Sequence, residues 1–451
     1  MDVSKFKDVI QNVFKNYSSL LVPAVVGLVA VLLFVPTQLM SSKLRKQIVD
    51  ESIAKRGRKV QSLSGSVVAR DQHREEQKYQ DDFKNDANKI DLLAQKSTQR
   101  ELLSYKIFPE PRYSSVRIFK EFGQQFRTGI EALLARVNAR DCPTEIELER
   151  SLEGLTKSSK PSLKGISYSK LNEAKATIVD VLCREKAESS SVYANVADLS
   201  GYEFWGEYET TNWADAITDC WYWQLAYWLI EDVIDTIDAL NSGSDSVFTS
   251  PVKRLLNVSF PAPGKGFRVR ARSKEKGADD KPKYVLSIKD VLTRPCTGRF
   301  SNNDIDVVHF NIVVVVSAKA ILPFMEELCS AKQHKFKGWD GEEQEQVFKH
   351  NQITILETKT ELIDREDNTH RRYRYGEDAV VELDLICEYI FNKAGYDKIK
   401  PEAVKESIEK TLKEMAEEKA KAEAIKKKKE RKKKKTETKI KTRLGRDLPE
   451  I

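Results

Sequence analysis

The apolar positions along this chain change their spacing several times, and each change marks an element. From Leu20 to Val35, twelve of sixteen residues are Leu, Val or Phe, inside a stretch without a charged residue between Lys15 and Lys43. So long an uncharged apolar run predicts one helical crossing of a ~30 Å hydrocarbon core, with Pro23 and Gly27 tolerated in lipid. Leu20, Leu21, Val25, Val29, Leu32 and Val35 are the expected transmembrane residues. The exit, Gln38-Leu39-Met40-Ser41-Ser42, has no small-x-small cleavage site, which favours an uncleaved anchor over a signal peptide.

Residues 43–105 are polar and almost free of Pro, as a helical stalk would be. Val60, Leu63 and Val67 follow a 3,4 spacing, and Tyr79, Phe83, Ile90 and Leu93 follow 4,7,3. These are heptad fragments of a weak coiled coil, interrupted by Arg70–Lys78, Gly57 and Gly65. Ile118, Phe122, Phe126, Ile130, Leu133 and Val137 then share one helical face. Pro143, Thr144, Glu145 and Glu147 open a further helix, and another is expected over Ser169–Lys186.

Trp213, Trp221, Trp223 and Trp228 fall on a helix expected from Trp213 to Leu240, with Asn212 as its N-cap. From there the period shortens. Val252–Phe260, the almost wholly apolar Val307–Ser317, Gln352–Ile363 and Ala379–Phe391 read as strands, with a short helix at Ala318–Ala331. The expected class is α+β: an N-terminal transmembrane helix, a coiled-coil stalk, a helical subdomain, then a ferredoxin-like αββαββ sandwich. The expected divisions are 1–17, a terminal segment; 18–40, the transmembrane helix; 41–108, the stalk; and 109–200, the helical subdomain. The sandwich follows at 201–400 with an insertion at 261–305, and 401–451 is a charged helix with a polybasic tail.

Charge changes the picture at one place. The net +7 is carried by residues 426–446, where thirteen Lys/Arg face Glu430 and Glu437, a local +11 that leaves −4 for the rest. Lys426, Lys427, Lys428, Lys429, Arg431, Lys432, Lys433, Lys434 and Lys435 are the candidate contacts to an anionic lipid or polymer. Aromatics are not interleaved with them, which argues against sequence-reading nucleic-acid recognition.

The order of parts resembles the PilO/GspM group of type IV pilus and type II secretion proteins. Stretches such as RELLSYKIFPEPRYSS (100–115), CWYWQLAYWLIEDVID (220–235), SPVKRLLNVSF (250–260) and VELDLICEYIFNKAGYDKIKP (381–401) also resemble bacterial single-pass proteins of this layout. The helical insertion at 113–190, the basic insertion and the polylysine tail depart from a minimal member. The resemblance implies an inner-membrane, single-pass scaffold with its bulk in the periplasm. The Lys/Arg count beside the apolar segment, seven within 43–59 against three before it, points to the opposite orientation.

Candidate chemistry is sparse. There is no G-x-x-x-x-G-K-[ST], H-E-x-x-H, G-x-S-x-G or Rossmann glycine pattern. The cysteines at 142, 183, 220, 296, 329 and 387 and the histidines at 73, 309, 334, 350 and 370 show no metal-ligand spacing. Cys329 and His334 straddle a helix end, where an ordinary packed Cys outweighs a metal pair. Glu231, Asp235 and Asp238 share a helix face beside Asp232, a solvated face first and a cation site second. The tryptophans are expected in a core or protomer interface rather than a ligand groove. The loop Lys265–Lys283, with its Phe267-Arg268-Val269-Arg270 alternation, is expected as an insertion without fixed structure.

The function expected is that of a non-enzymatic, PilO-like scaffold for a cell-envelope complex, with no cofactor, no metal and no small-molecule substrate. Its partners would be the membrane and other protomers, through stalk and sheet domain. The alternative is a tether whose polylysine tail holds anionic lipid or nucleic acid on the cytoplasmic side.

Overall fold

The computed structural model describes residues 18–49, 56–64, 70–112, 115–153, 173–209, 212–261, 280–294, 296–367 and 369–444. They form two compact units, residues 1–88 and 89–451.

The first unit contains helices α1 (Ser18–Ile48) and α2 (Arg56–Ser64) and most of α3 (Arg70–Lys96). Helix α1 covers the segment expected to cross a membrane. Among the described residues, however, no helix is long and apolar enough to cross one, and the expected transmembrane helix is corrected accordingly. Residues 26–34 of α1 form an exposed apolar run. Val29 and Leu32 are exposed within that run. The side chains of Leu20, Leu21, Val25 and Val35 lie outside the described residues.

In the second unit, α4 (Arg117–Arg136) buries Ile118, Phe122, Phe126, Ile130 and Leu133 on its expected face, with Phe119 beside them. Helix α5 (Glu145–Glu153) opens on a reciprocal cap. The Thr144 hydroxyl accepts from the Glu147 amide at 3.2 Å, and the Glu147 carboxylate accepts from the Thr144 amide at 2.7 Å. Helix α6 (Glu173–Glu188) and the five-residue α7 (Tyr202–Gly206) complete the helices before α8 (Trp213–Asn241). The Asn212 side chain caps α8 by accepting from the Ala214 amide at 3.1 Å.

The main sheet has six strands, not the expected four. Two short strands, β1 (Ala139–Arg140) and β2 (Val192–Tyr193), come from the region read as purely helical. They add in parallel to β3 (Val252–Ser259), and β4 (Ile305–Ser317) follows in antiparallel pairing. The central pair is β4 with β8 (Val380–Asn392), in register over thirteen residues from Ile305↔Asn392 to Ser317↔Val380. Strand β7 (Ile353–Leu362) closes the order β1-β2-β3-β4-β8-β7. Helix α9 (Ile321–Leu328) packs with α8, and a separate hairpin, β5 (Lys332–Phe336) with β6 (Gln346–His350), stands between α9 and β7. The class is therefore a mixed α/β arrangement of helices and a mixed sheet.

Alternation along the central strands gives the sheet two different faces. Val308, Phe310, Ile312, Val314 and Val316 of β4 join one core with Phe122, Phe126, Trp221 and Trp228. Helix α4 and the sheet thus share a single apolar interior. On the opposite face Val285 and Val291 pack on Val307, while Val315 packs with Tyr193, Val247 and Tyr375. Of the loop expected without fixed structure, 262–279, including the Phe267–Arg270 alternation, lies outside the described residues. A short helix, α10 (Lys393–Tyr396), turns the chain into the 43-residue α11 (Glu402–Leu444).

Candidate functional site

The polar centre of the second unit forms where the chain leaves α3. The helix ends at Lys96, and residues 97–112 continue as an irregular strap with Leu102, Ile107 and Phe108 buried. A buried irregular segment needs partners for its backbone groups, and the strap finds them on α8, β5 and the α10 corner. The Glu101 amide donates to the Lys335 carbonyl at 3.0 Å. The Leu103 amide donates to Gln224 Oε1 at 2.8 Å, and Trp228 Nε1 donates to the Glu101 carbonyl at 2.9 Å. Thr98 Oγ1 donates to the Asn392 carbonyl at 2.9 Å, and Gln352 Nε2 to Ser97 Oγ at 2.8 Å. Gly395 is required at this corner. A Cβ there would lie 2.0 Å from Thr98 Oγ1 and 2.1 Å from the Gln95 carbonyl oxygen.

Arg100 is the strap's one buried cation, 2% exposed. Its Nη1 donates to Asp232 Oδ2 at 3.0 Å and to the Tyr389 hydroxyl at 2.9 Å; its Nη2 lies 2.6 Å from Glu231 Oε2 and 2.8 Å from Asp232 Oδ1. Asp232 Oδ2 also accepts from the Tyr389 hydroxyl at 2.8 Å and meets His350 Nε2 at 2.9 Å. His350 Nδ1 in turn sits 2.8 Å from His334 Nδ1, one proton between the two rings. Strap, α8, β8 and both hairpin strands thus converge on one carboxylate.

Burial alone would raise the Asp232 carboxyl. Arg100 and His350 outweigh it and hold the group well below the usual carboxylate range. Burial, assisted by Arg100 and His350, lowers the His334 imidazole to about 3. The cluster holds fixed charges in a dry site, and the imidazole chain ends among packed residues, with His334 buried. Such a network fixes the relative positions of the elements it joins.

The sequence candidates are distributed differently. Glu231 and Asp232 go to Arg100, whereas Asp235 and Asp238 pair with Arg136 of α4. The acidic face is thus matched by arginines, and no group of three or more metal-ligating side chains occurs among the described residues. His334 turns to His350 and not to Cys329. Trp221, Trp223 and Trp228 are buried. Trp221 stacks on Tyr396 with centroids 5.6 Å apart and donates to the Tyr284 hydroxyl at 2.9 Å. Trp213 is half-buried, edge-on to Phe119 at 5.2 Å. Lys426, Lys427, Lys428 and Lys429 are exposed on α11; the side chains of Arg431 and Lys432–Lys435 lie outside the described residues.

A second buried cluster lies on the other face of the sheet. Glu388, fully buried, accepts from Arg299 Nη1 at 2.5 Å and from the Thr297 hydroxyl at 3.2 Å. His309 Nε2 stands 3.9 Å from the same carboxylate, and burial lowers this imidazole to about 4.

Sequence reasoning missed Arg100 and the His334–His350 pair. The available signal was a lone arginine opening an apolar stretch just after a long polar helix; the histidines gave none, being sixteen residues apart on two hairpin strands.

No family model and no curated protein matches the chain. Two solved structures from Akkermansia muciniphila align with it. One, described as without transmembrane region, is 9% identical over 64% of this chain and 91% of its own, with a TM-score of 0.22. The other is 8% identical over 64% and 83%, also with a TM-score of 0.22. Likenesses of this degree carry no argument about fold or function.

Proposed function

We propose that this chain is a non-enzymatic assembly protein that works by self-association through α3. The observation that carries the reading is the surface of that helix. None of its 27 residues is buried, yet Tyr79, Phe83, Ile90 and Leu93 are 65–68% exposed along one stripe. Such a stripe on an otherwise polar helix calls for a second helix, since burying each of these side chains is worth roughly 1.5–3 kcal/mol. The same frame places Asp86 at a core position, where a polar residue lowers stability but sets register. A second copy of this chain supplies the matching stripe. The strap is then the coupling device, tying the end of the stalk helix into the folded unit through Arg100.

The resemblance in element order to PilO/GspM proteins supports placing this activity in a cell-envelope assembly. The test is disulfide cross-linking in cell-envelope fractions, using Phe83→Cys in a Cys296→Ser background. A linked dimer is expected from Phe83→Cys and not from Asn85→Cys on the opposite face of α3. Absence of the first product, or equal yield of both, would sink the reading.

A further inference from the structure

Helix α11 is rooted firmly and then leaves the folded unit. Lys400, buried just before it, places Nζ 2.5 Å from Asp306 Oδ2, and Val404 is buried in the first turn. From Ala416 onward every described side chain is exposed. Glu409–Lys413 at 3.6 Å and Glu417–Lys421 at 3.9 Å support the helix as i,i+4 pairs, with glutamate N-terminal as the better orientation. Residues 402–425 are thus a nearly neutral spacer; Glu418 is held by Lys289 at 3.0 Å, and 419–444 project about 39 Å of helix beyond it at 1.5 Å per residue.

Residues 426–435 carry nine cations and one glutamate. Ten helical residues occupy about 15 Å, so the rod bears a net positive charge about every 2 Å, close to the roughly 1.7 Å spacing of negative charge on a nucleic-acid duplex. Two further facts choose among anionic partners. Lys426, Lys427, Lys428 and Lys429 are consecutive on a helix, so their charges point round its whole circumference. Ile425 is the one large apolar residue between Ala416 and Lys435. A helix lying on a bilayer needs an apolar face to bury, and this one has none. A flexible chain can wrap a rod charged on all sides; a flat surface meets only one side. Eight of the nine cations are lysines, hydrated point charges that sense charge density and not the planar geometry arginine reads. Aromatic residues for base stacking are absent from this stretch.

We infer that the projecting part of α11 is a binding rod for a linear phosphate polymer, indifferent to sequence. Nucleic acid and inorganic polyphosphate share this chemistry. Fluorescence anisotropy of the full chain with labelled (dT)20, between 50 and 300 mM salt, tests it. The expected logarithmic salt slope is about −4 to −6, given roughly 0.7 per neutralised phosphate on a single strand. Lys→Gln at all eight lysines of 426–435 should weaken binding by about 100-fold or more at the lower salt and flatten the slope. Unlabelled polyphosphate should displace the probe within about threefold of unlabelled (dT)20 at equal phosphate. Equal affinity and slope for the two proteins would overturn the proposal. So would a preference above about tenfold for nucleic acid over polyphosphate. Tighter binding to phosphatidylserine vesicles than to (dT)20 at equal accessible charge would overturn it in favour of a membrane surface.

Discussion

Arg100 and Asp232 are separated by 132 residues in the chain and meet at 3.0 Å, with the carboxylate wholly shut off from solvent. Arg100 arrives on the strap that follows α3, and Asp232 is carried by the central helix of the folded unit. Their contact fixes where the strap enters, while the Tyr389 hydroxyl and His350 Nε2 crowd the same carboxylate oxygen at 2.8 and 2.9 Å. The buried charges are thus paired and hydrogen-bonded on Asp232 Oδ2, which is what lets a buried ion pair be tolerated.

Removing one partner exposes that dependence. Arg100→Met leaves Asp232 buried beside Glu231 with its principal counter-charge gone, and should lower unfolding free energy by roughly 3–5 kcal/mol. Adding Asp232→Leu should recover part of the loss, because the wholly buried carboxylate is then gone and only the partly exposed Glu231 lacks its cation. Urea unfolding checks both, and a single variant within about 1 kcal/mol of wild type would refute the structural role.

Acid should weaken the fold progressively. The His334 and His309 imidazoles are held at about 3 and about 4, below the unfolded value near 6.5. Between those values the unfolded chain binds more protons, so stability is complete above about pH 6.5 and falls as pH drops towards 4. Each histidine contributes on the order of 1 kcal/mol per pH unit in that window. The Asp232 carboxyl, also depressed, adds a further loss below the usual carboxylate range. Melting temperature against pH measures this, and His309→Asn should make the decline shallower.

Gly395→Ala should destabilise by roughly 2 kcal/mol or more, since its Cβ meets backbone and side chain of the α3 exit at about 2 Å. Hydrogen exchange should show residues 95–101 losing protection before the β4–β8 core. Uniform loss would mean that the strap unfolds only with the whole unit.

Much of the second unit was legible because its elements repeat cleanly. The helix expected over Trp213–Leu240 runs Trp213–Asn241, and the strand expected over Val307–Ser317 runs Ile305–Ser317. An apolar run of β-branched residues and an asparagine cap are local signals, readable without tertiary context. The hairpin β5–β6 was not read: QVFKH is short and mostly exposed, so its pairing with KQHKF comes from register and not from pattern. Two-residue strands such as Val192–Tyr193 have no period at all. The acidic face of α8 was visible, but the distinction between Asp232, bound to Arg100, and Asp235, bound to Arg136, belongs to tertiary packing. The apolar segment of α1 was over-read: its Leu, Val and Phe content predicted a crossing, but among the described residues no helix is long and apolar enough for one.

Association through α3 is tested most directly by sedimentation equilibrium of the full chain and of Phe83→Glu/Leu93→Glu. The wild type should show a concentration-dependent mass rising above 51.6 kDa, and the double variant should remain at 51.6 kDa with unchanged far-ultraviolet dichroism. A wild type that stays at 51.6 kDa over the whole concentration range, or a variant that associates as well as the wild type, would contradict it.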